Sequence, residues 1–336
     1  MIKKNLLYTS KKKIVKEQIT QFFNNFGLFS PLDFTDPVTY FIPGFILLIL
    51  GETFLYQIPQ KIFTKKLIKD ELSSIGLGLG AVFLDFGMKA ISISYLFWFY
   101  NNFRLTDIFG VGDLSNLLSL EWNLKHWWLW ILVLIVQDFG FYWHHRLSHK
   151  IRLLWTGHVN HHSGKHLSFA IALRQGWFEI LYRDLWYIPF VIIGFHPLMN
   201  AMMHQFNLIF QFWPHTEAIG KLGWFDKIFN SPSNHRVHHS RQIEELDKNY
   251  GGILMIWDHL FGTYKAEISK IHDYGILHNI NSYNVFHIVF DEFGNMMKDV
   301  KKAPNLKAKL KYIFKAPGWK HDGKDERIST IQKDEK

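Results

Sequence analysis

The 336-residue chain contains no cysteine. That absence excludes disulfides, thiolate-bound zinc, cysteine-ligated iron–sulfur clusters and cysteine nucleophiles. It also has no recognisable serine-nucleophile motif. Charge is sparse, at 20% of residues, and acidic side chains are the scarcer sign: 29 Asp and Glu against 38 Lys and Arg leave a formal charge of +9. The N-terminal stretch is Lys-rich but lacks a compact apolar core followed by small residues, so it does not read as a cleaved signal peptide. What the chain has in plenty is hydrophobic side chains (48%), aromatics (17%, with 31 Phe) and 19 histidines. That content excludes an intrinsically disordered chain.

The basic excess points to an anionic partner. Nucleic-acid modules gather Lys and Arg on one face of a soluble fold, whereas here lysines at 3–16, 61–69 and 301 onward alternate with long apolar segments. Basic flanks on apolar segments suit an integral membrane protein and argue against nucleic acid. Four such segments follow one another. The first runs from Val38 to Gln57, broken by Glu52, and the second from Ser74 to Tyr100, broken by Asp85 and Lys89. The third is Trp127 to Trp143; the fourth, Trp186 to Trp213, is interrupted by Pro189, Gly194 and Pro197 and reads as a bent pair of helices. A span needs roughly 20 apolar residues, a length that the first two reach and the others approach. Lys61, Lys65, Lys66 and Lys69 place the loop after the first span in the cytoplasm. The connection 101–126 carries more acid than base and lies outside. The third span then delivers its end to the cytoplasmic face. The expected fold is therefore all-α, a multi-pass helical membrane protein with about four spans and a cytosolic helical cap. Residues 1–37 form a basic interfacial segment, 38–267 the catalytic domain and 268–336 an amphipathic Lys-rich tail. The lysines of the first 37 residues conflict with an outside N-terminus, and a re-entrant helix near 14–30 would resolve that.

The histidines carry the chemistry. Eight fall into three boxes: HRLSH with His145 and His149, HVNHH with His158, His161 and His162, and HRVHH with His235, His238 and His239. Residues three and four apart share a helix face, so each box aims its imidazoles in one direction. Eight imidazoles exceed the needs of one ion and imply two. His215, at the end of the bent pair, returns near the cluster as a ninth ligand. Neutral ligands leave the metal charge uncompensated and favour acidic outer partners. Zinc would restrict such a site to Lewis-acid hydrolysis. Two irons would open dioxygen chemistry at an inert carbon, which suits a site beside apolar, aromatic-rich segments and hence a lipid substrate.

Two stretches, QDFGFYWHHRLSHKIRLLWTGHVNHHS and NSPSNHRVHHSRQIEELDKNYGGILMIWDHLFGTY, resemble the fatty acid hydroxylase/sterol desaturase superfamily of membrane di-iron oxygenases. SFAIALRQ, QFNLIFQFWPHTE and the terminal YIFKAPGW are similar to its alkylglycerol monooxygenase branch. The resemblance implies O₂-dependent lipid oxidation at two Fe ions held by the eight box histidines, with His215 matching a further one. It implies tetrahydropterin as reductant and ether-lipid cleavage by hydroxylation next to the ether oxygen. The chain departs from the branch at Lys150, where an acid commonly follows the first box, and at Asn234, where a histidine often precedes the last. No cytochrome b5 domain is visible, so electrons come from an external donor. Sterol or fatty acid hydroxylation and desaturation are the neighbouring alternatives.

Other residues complete the set of expectations. Asp138, seven residues before His145, reads as an acceptor orienting a ligand imidazole or as a helix-packing polar residue, and Asn234 as the holder of a metal-bound water. Arg174 and Gln175 read as contacts for a lipid head group or the reductant, or as capping residues. Asp247, Asn249 and Gly251–Gly252 read as a turn. In the tail, YIFKAPGW is the expected surface anchor. A His-rich metal transporter or storage protein is the reading of another class. It would require ligands near mid-membrane, whereas these boxes lie beyond the spans and carry Arg146 and Arg236. A membrane zinc hydrolase is a third.

Overall fold

The computed structural model describes residues 37–112, 115–268 and 273–335. The expected interfacial segment therefore lies outside the described residues except for Pro37. The described residues are mostly helical and contain no strand, only two isolated bridges, Phe229 to Leu254 and Ser240 to Tyr274.

Helix α1 spans Pro37–Glu52 and passes directly into a π-helical turn, Thr53–Gln57. Helix α2 spans Lys65–Phe103. Both are long and apolar enough to cross a membrane, and only 6% and 22% of their most apolar windows are buried. A core helix of a soluble protein would be covered by its neighbours; here Leu55 is 82% and Phe83 78% exposed. Helix α3 is Trp127–Lys150, and α4 is Arg152–His162. The fourth apolar segment is divided as its prolines and glycine require. A six-residue helix, Ile188–Ile193, precedes Gly194, whose φ of +129° only glycine adopts freely, and α5 follows at Pro197–Phe212. A Cβ at position 194 would sit 2.3 Å from the Thr106 carbonyl, so the turn needs glycine for space as well. Helix α6 is Pro232–His239, α7 Val285–Lys302 and α8 Leu306–Phe314.

The chain divides into two compact units. One takes Phe83–Gly140 and Arg183–Ile209 with the chain up to Ile42. Its core is apolar and aromatic, with Leu129, Val133, Phe190, Val191 and Met199 among its buried members. Within this core lies a buried polar patch, where Gln137 Nε2 donates to the Tyr187 hydroxyl at 2.9 Å and Asn207 Nδ2 to Gln137 Oε1 at 2.8 Å. The other unit takes Pro43–Val82, Phe141–Tyr182 and Phe210–Lys336, and it holds every box histidine and His215. In it α7 packs on α4 and on α8. Arg152, at the start of α4, ties these elements together: Nε donates to Glu292 Oε1 at 2.7 Å and Nη1 to Asp299 Oδ2 at 2.6 Å, both on α7. Glu52, which interrupts the first apolar segment, is buried against protein. Its carboxylate accepts from the Phe169 N–H at 2.8 Å and from the Thr216 hydroxyl.

Candidate metal centre

Each box is helical, and local sequence explains why. HRLSH closes α3; the single extended residue Ile151 then turns the chain into α4, which ends on HVNHH. HRVHH closes α6, whose start carries a Ser231 side-chain cap and Pro232 in the first turn, a strong helix-initiating pair. His215 follows the end of α5, and its Nδ1 bonds the Gln211 carbonyl at 2.7 Å.

These elements bring all nine expected histidines into two buried groups that could each hold a metal ion. His145, His149, His158, His162 and His238 form one; His161, His215, His235 and His239 form the other. Within each group the available ligand atoms all lie within 4.8 Å of one another. The partition revises the expectation that each box aims one way. Every i, i+4 pair serves a single group, whereas the i+3 histidine of each HxxHH box serves the other. Successive helical residues are rotated by about 100°, so i+3 and i+4 fall on opposite sides of i. His158 and His162 join the five-membered group and His161 the four; His235 and His239 join the four and His238 the five. The two boxes are thus crossed between the groups.

The ring nitrogens meet at separations suited to an ion. His215 Nε2 lies 2.8 Å from His235 Nε2 and 3.1 Å from His161 Nε2, and His239 Nε2 lies 3.0 Å from His235 Nε2. In the other group, His162 Nε2 is 3.2 Å from His158 Nε2. Two nitrogens bound at about 2.1 Å with a right angle between them are about 3 Å apart. The opposite ring nitrogens are held from behind. His145 Nδ1 bonds the Tyr250 carbonyl at 2.9 Å and His238 Nδ1 the Lys248 carbonyl at 2.8 Å. In both rings, and in His149, Nε2 is buried without a hydrogen-bond partner. A buried imidazole nitrogen left in this way is costly unless an ion occupies its lone pair, so the donor set fits a pair of metals.

Electrostatics keep the rings in the ligating form. Burial, reinforced by the neighbouring imidazoles, holds His145, His161, His162, His235, His238 and His239 well below the ordinary histidine pKa. Burial also pulls His149 and His215 down to about 4. Neutral imidazole is the species that binds metal. Two carboxylates stand behind the five-membered group. Asp247 Oδ1 is 3.4 Å from His149 Nδ1, and Glu179 Oε2 is 3.4 Å from His158 Nδ1. Asp247 is buried, its φ is +60°, and Lys150 pairs with its other oxygen. Sequence reasoning saw in Asp247 only a turn, which it is, and missed both carboxylates. The acid at 247 lies nearly a hundred residues from the histidine it supports, and no spacing rule connects them.

The remaining expected residues have other surroundings. Arg174 is 1% exposed; Nε donates to the Asn160 carbonyl at 2.9 Å and Ser163 Oγ at 3.0 Å, and Nη1 to Ser74 Oγ at 3.2 Å and Asp70 Oδ1 at 3.3 Å. It clamps the C-terminal end of α4, beside His161 and His162. Gln175 Nε2 donates to the Ala172 carbonyl at 2.9 Å, a local cap. Asp138 accepts from Asn207 Nδ2 at 3.1 Å, in the unit that does not hold the histidines. Asn234 turns its amide to the Asp226 and Phe229 carbonyls at 2.6 and 3.1 Å and so braces the turn before α6. Arg236 grips Glu267 through two bonds of 2.6 and 3.0 Å and donates to the Thr216 carbonyl at 3.1 Å, next to His215.

Residues 130–263 match the family model described as fatty acid hydroxylase, a span that includes all nine histidines. The alkylglycerol monooxygenase of Homo sapiens is 38% identical over 221 residues, which are 66% of this chain and 49% of that protein. The alkylglycerol monooxygenase of Xenopus tropicalis is 35% identical over 252 residues, 75% of this chain and 53% of that protein. The ornithine lipid hydroxylase OlsE of Rhizobium tropici is 33% identical over 135 residues, 40% of this chain and 41% of that protein. The chain spans about half the length of the curated alkylglycerol monooxygenases it matches. No solved structure matches it.

Proposed function

We propose, from the match of residues 130–263 to the fatty acid hydroxylase model, that the chain is a membrane oxidoreductase that oxidises a lipid with O₂ at a histidine-held di-iron centre. The observation that carries the reading is the pair of buried, all-imidazole groups, five and four, in one compact unit. Two irons bound there would supply dioxygen-dependent oxidation of a C–H bond that side chains alone cannot attack. The chain's own part is to keep buried rings neutral, to fix the tautomers of His145, His238 and His215 through the Tyr250, Lys248 and Gln211 carbonyls, and to shield the site from bulk water. Trp155 and Phe141 wall the five-membered group, with ring centroids 5.1 Å from His149 and 5.4 Å from His145.

The substrate we infer is an ether lipid of the alkylglycerol type, after the relatives' names. Hydroxylation of the carbon beside the ether oxygen gives a hemiacetal, which collapses to an aldehyde and a glycerol. The membrane topology we favour is multi-pass, with α1 and α2 spanning, α3 and the bent pair completing about four spans, and the centre on the cytoplasmic face. The apolar exposure of α1 and α2 and the lysines at 61–69 support it. Electrons come from tetrahydropterin or an external transfer partner; Arg174 and Gln175, already bonded within the fold, are not assigned to that contact. The test is lipid analysis under ¹⁸O₂ of cells with the active protein and with a His161→Ala variant. Label in a fatty aldehyde or its acid, with loss of ether lipid, supports the reading; unlabelled lipids identical in both would refute it.

A further inference from the structure

Helix α8 shows two unlike faces. Asn305 caps it by accepting from the Ala308 N–H at 2.9 Å. Ala308 and Tyr312 turn inward and are buried with Ala303, and Trp319 packs edge-on against Tyr312 at 5.0 Å. The Tyr312 hydroxyl is 2.8 Å from His321 Nδ1. Of the expected YIFKAPGW anchor, Tyr312 and Trp319 therefore hold the helix to the protein. The outward stripe is Leu306, Leu310 and Phe314, spaced four residues apart and 70%, 46% and 57% exposed. Lys307, Lys311 and Lys315 each follow one of these, and the six residues line a shallow open groove. Residues 300–320 contain seven lysines and no carboxylate.

We propose that this outward face of α8 docks on the surface of an anionic bilayer. The face needs two things from an occupant: an apolar layer for three large side chains and negative charge for the lysines beside them. A lipid surface rich in anionic head groups supplies both, with the stripe at the acyl boundary and the lysine stems extended towards the phosphates. A second copy of the same face would oppose like charges across the contact. The docking has a mechanical consequence. The Arg152 N–H bonds the Lys315 carbonyl at 2.9 Å, so the end of α8 is joined to the start of the helix that carries His158, His161 and His162. Lipid docking would steady that helix. The proposal rests on the membrane reading and is independent of the metal.

The absence of cysteine makes the test clean, because Leu310→Cys creates a single attachment point. The full-length variant is labelled with an environment-sensitive fluorophore and reconstituted in bilayer discs of phosphatidylcholine, with or without phosphatidylserine. Each disc also carries a lipid-borne quencher at the interface. The expected result is blue-shifted, quenched emission in the serine-lipid discs and weaker quenching in phosphatidylcholine alone. Adding Lys307→Gln, Lys311→Gln and Lys315→Gln should bring quenching down to the phosphatidylcholine level. A label at exposed Asp322→Cys should stay solvent-like in both. Emission at 310 that is solvent-like and unquenched in every disc overturns the proposal. So does emission that is blue-shifted but unquenched, which would mean that protein covers the face. Neither readout depends on iron or turnover, so failure here is distinct from failure of the oxygenase reading.

Discussion

Replacing Arg174 by Met removes the guanidinium but keeps the length of the side chain. The side chain is 1% exposed and donates to Asn160, Ser163, Ser74 and Asp70. Its loss leaves Asp70 buried with the Lys165 N–H, at 3.0 Å, still on the carboxylate but without a cation. Breaking a buried ion pair in this way costs about 3–5 kcal/mol, a large fraction of the roughly 5–15 kcal/mol that stabilises a folded protein. The expected drop in the apparent thermal midpoint is on the order of 10 °C. Adding Asp70→Asn removes the stranded charge and should recover on the order of 1–3 kcal/mol of the loss. Asn160 and Ser163 flank His161 and His162, so the single variant should also lose metal on purification, and the double variant less. The assay is thermal unfolding of detergent-solubilised protein together with metal content, and both move before turnover is considered. If Arg174→Met melts and binds metal like the parent but loses lipid oxidation alone, the clamp is wrong and Arg174 meets substrate or reductant.

Three further outcomes follow from the centre. Asp247→Asn should lower metal affinity by roughly 10–100-fold through His149. Asp247→Gly accommodates the φ of +60° at least as well but should lose as much affinity, and competition with a chelator of known strength measures both. His161→Ala removes one of four rings in the smaller group, so the purified protein should hold about one ion instead of two, still inserted in membrane, as metal analysis will report. The metal-free protein should weaken in acid. His149 and His215 are held near 4 by burial against an unfolded value of 6.5. The unfolded chain therefore takes up protons first as pH falls, and each ring removes up to about 3 kcal/mol of stability between about pH 6.5 and 4. Denaturant midpoints of metal-stripped protein across that range should fall, and a flat profile would contradict buried neutral rings.

The histidine cluster was legible because helical spacing and residue type both mark it: one HxxxH and two HxxHH boxes put imidazoles within a turn of one another. The helical class followed from apolar length, and the break at Gly194 from the glycine and prolines around it. How the boxes divide was not legible. Spacing shows that His158, His161 and His162 are neighbours, but only the neighbouring helices decide that His161 faces His215 and that His158 faces His145. The supporting carboxylates were equally hidden, since Asp247 and Glu179 reach the rings through tertiary packing. Arg174 was read as a ligand contact or a capping residue, and only packing shows its partners: Asn160 and Ser163 at the end of α4, and Asp70 and Ser74 from a distant segment. On α8, composition revealed an amphipathic tail but not which aromatic side chains face inward.

The most direct measurement is iron quantification of full-length protein purified aerobically from iron-replete cells, combined with X-ray absorption at the iron edge. Two irons per chain with a nitrogen-dominated shell are the predicted result, one ion for the five-ring group and one for the four. A single ion per chain, or two zinc ions with iron excluded under those conditions, would contradict it.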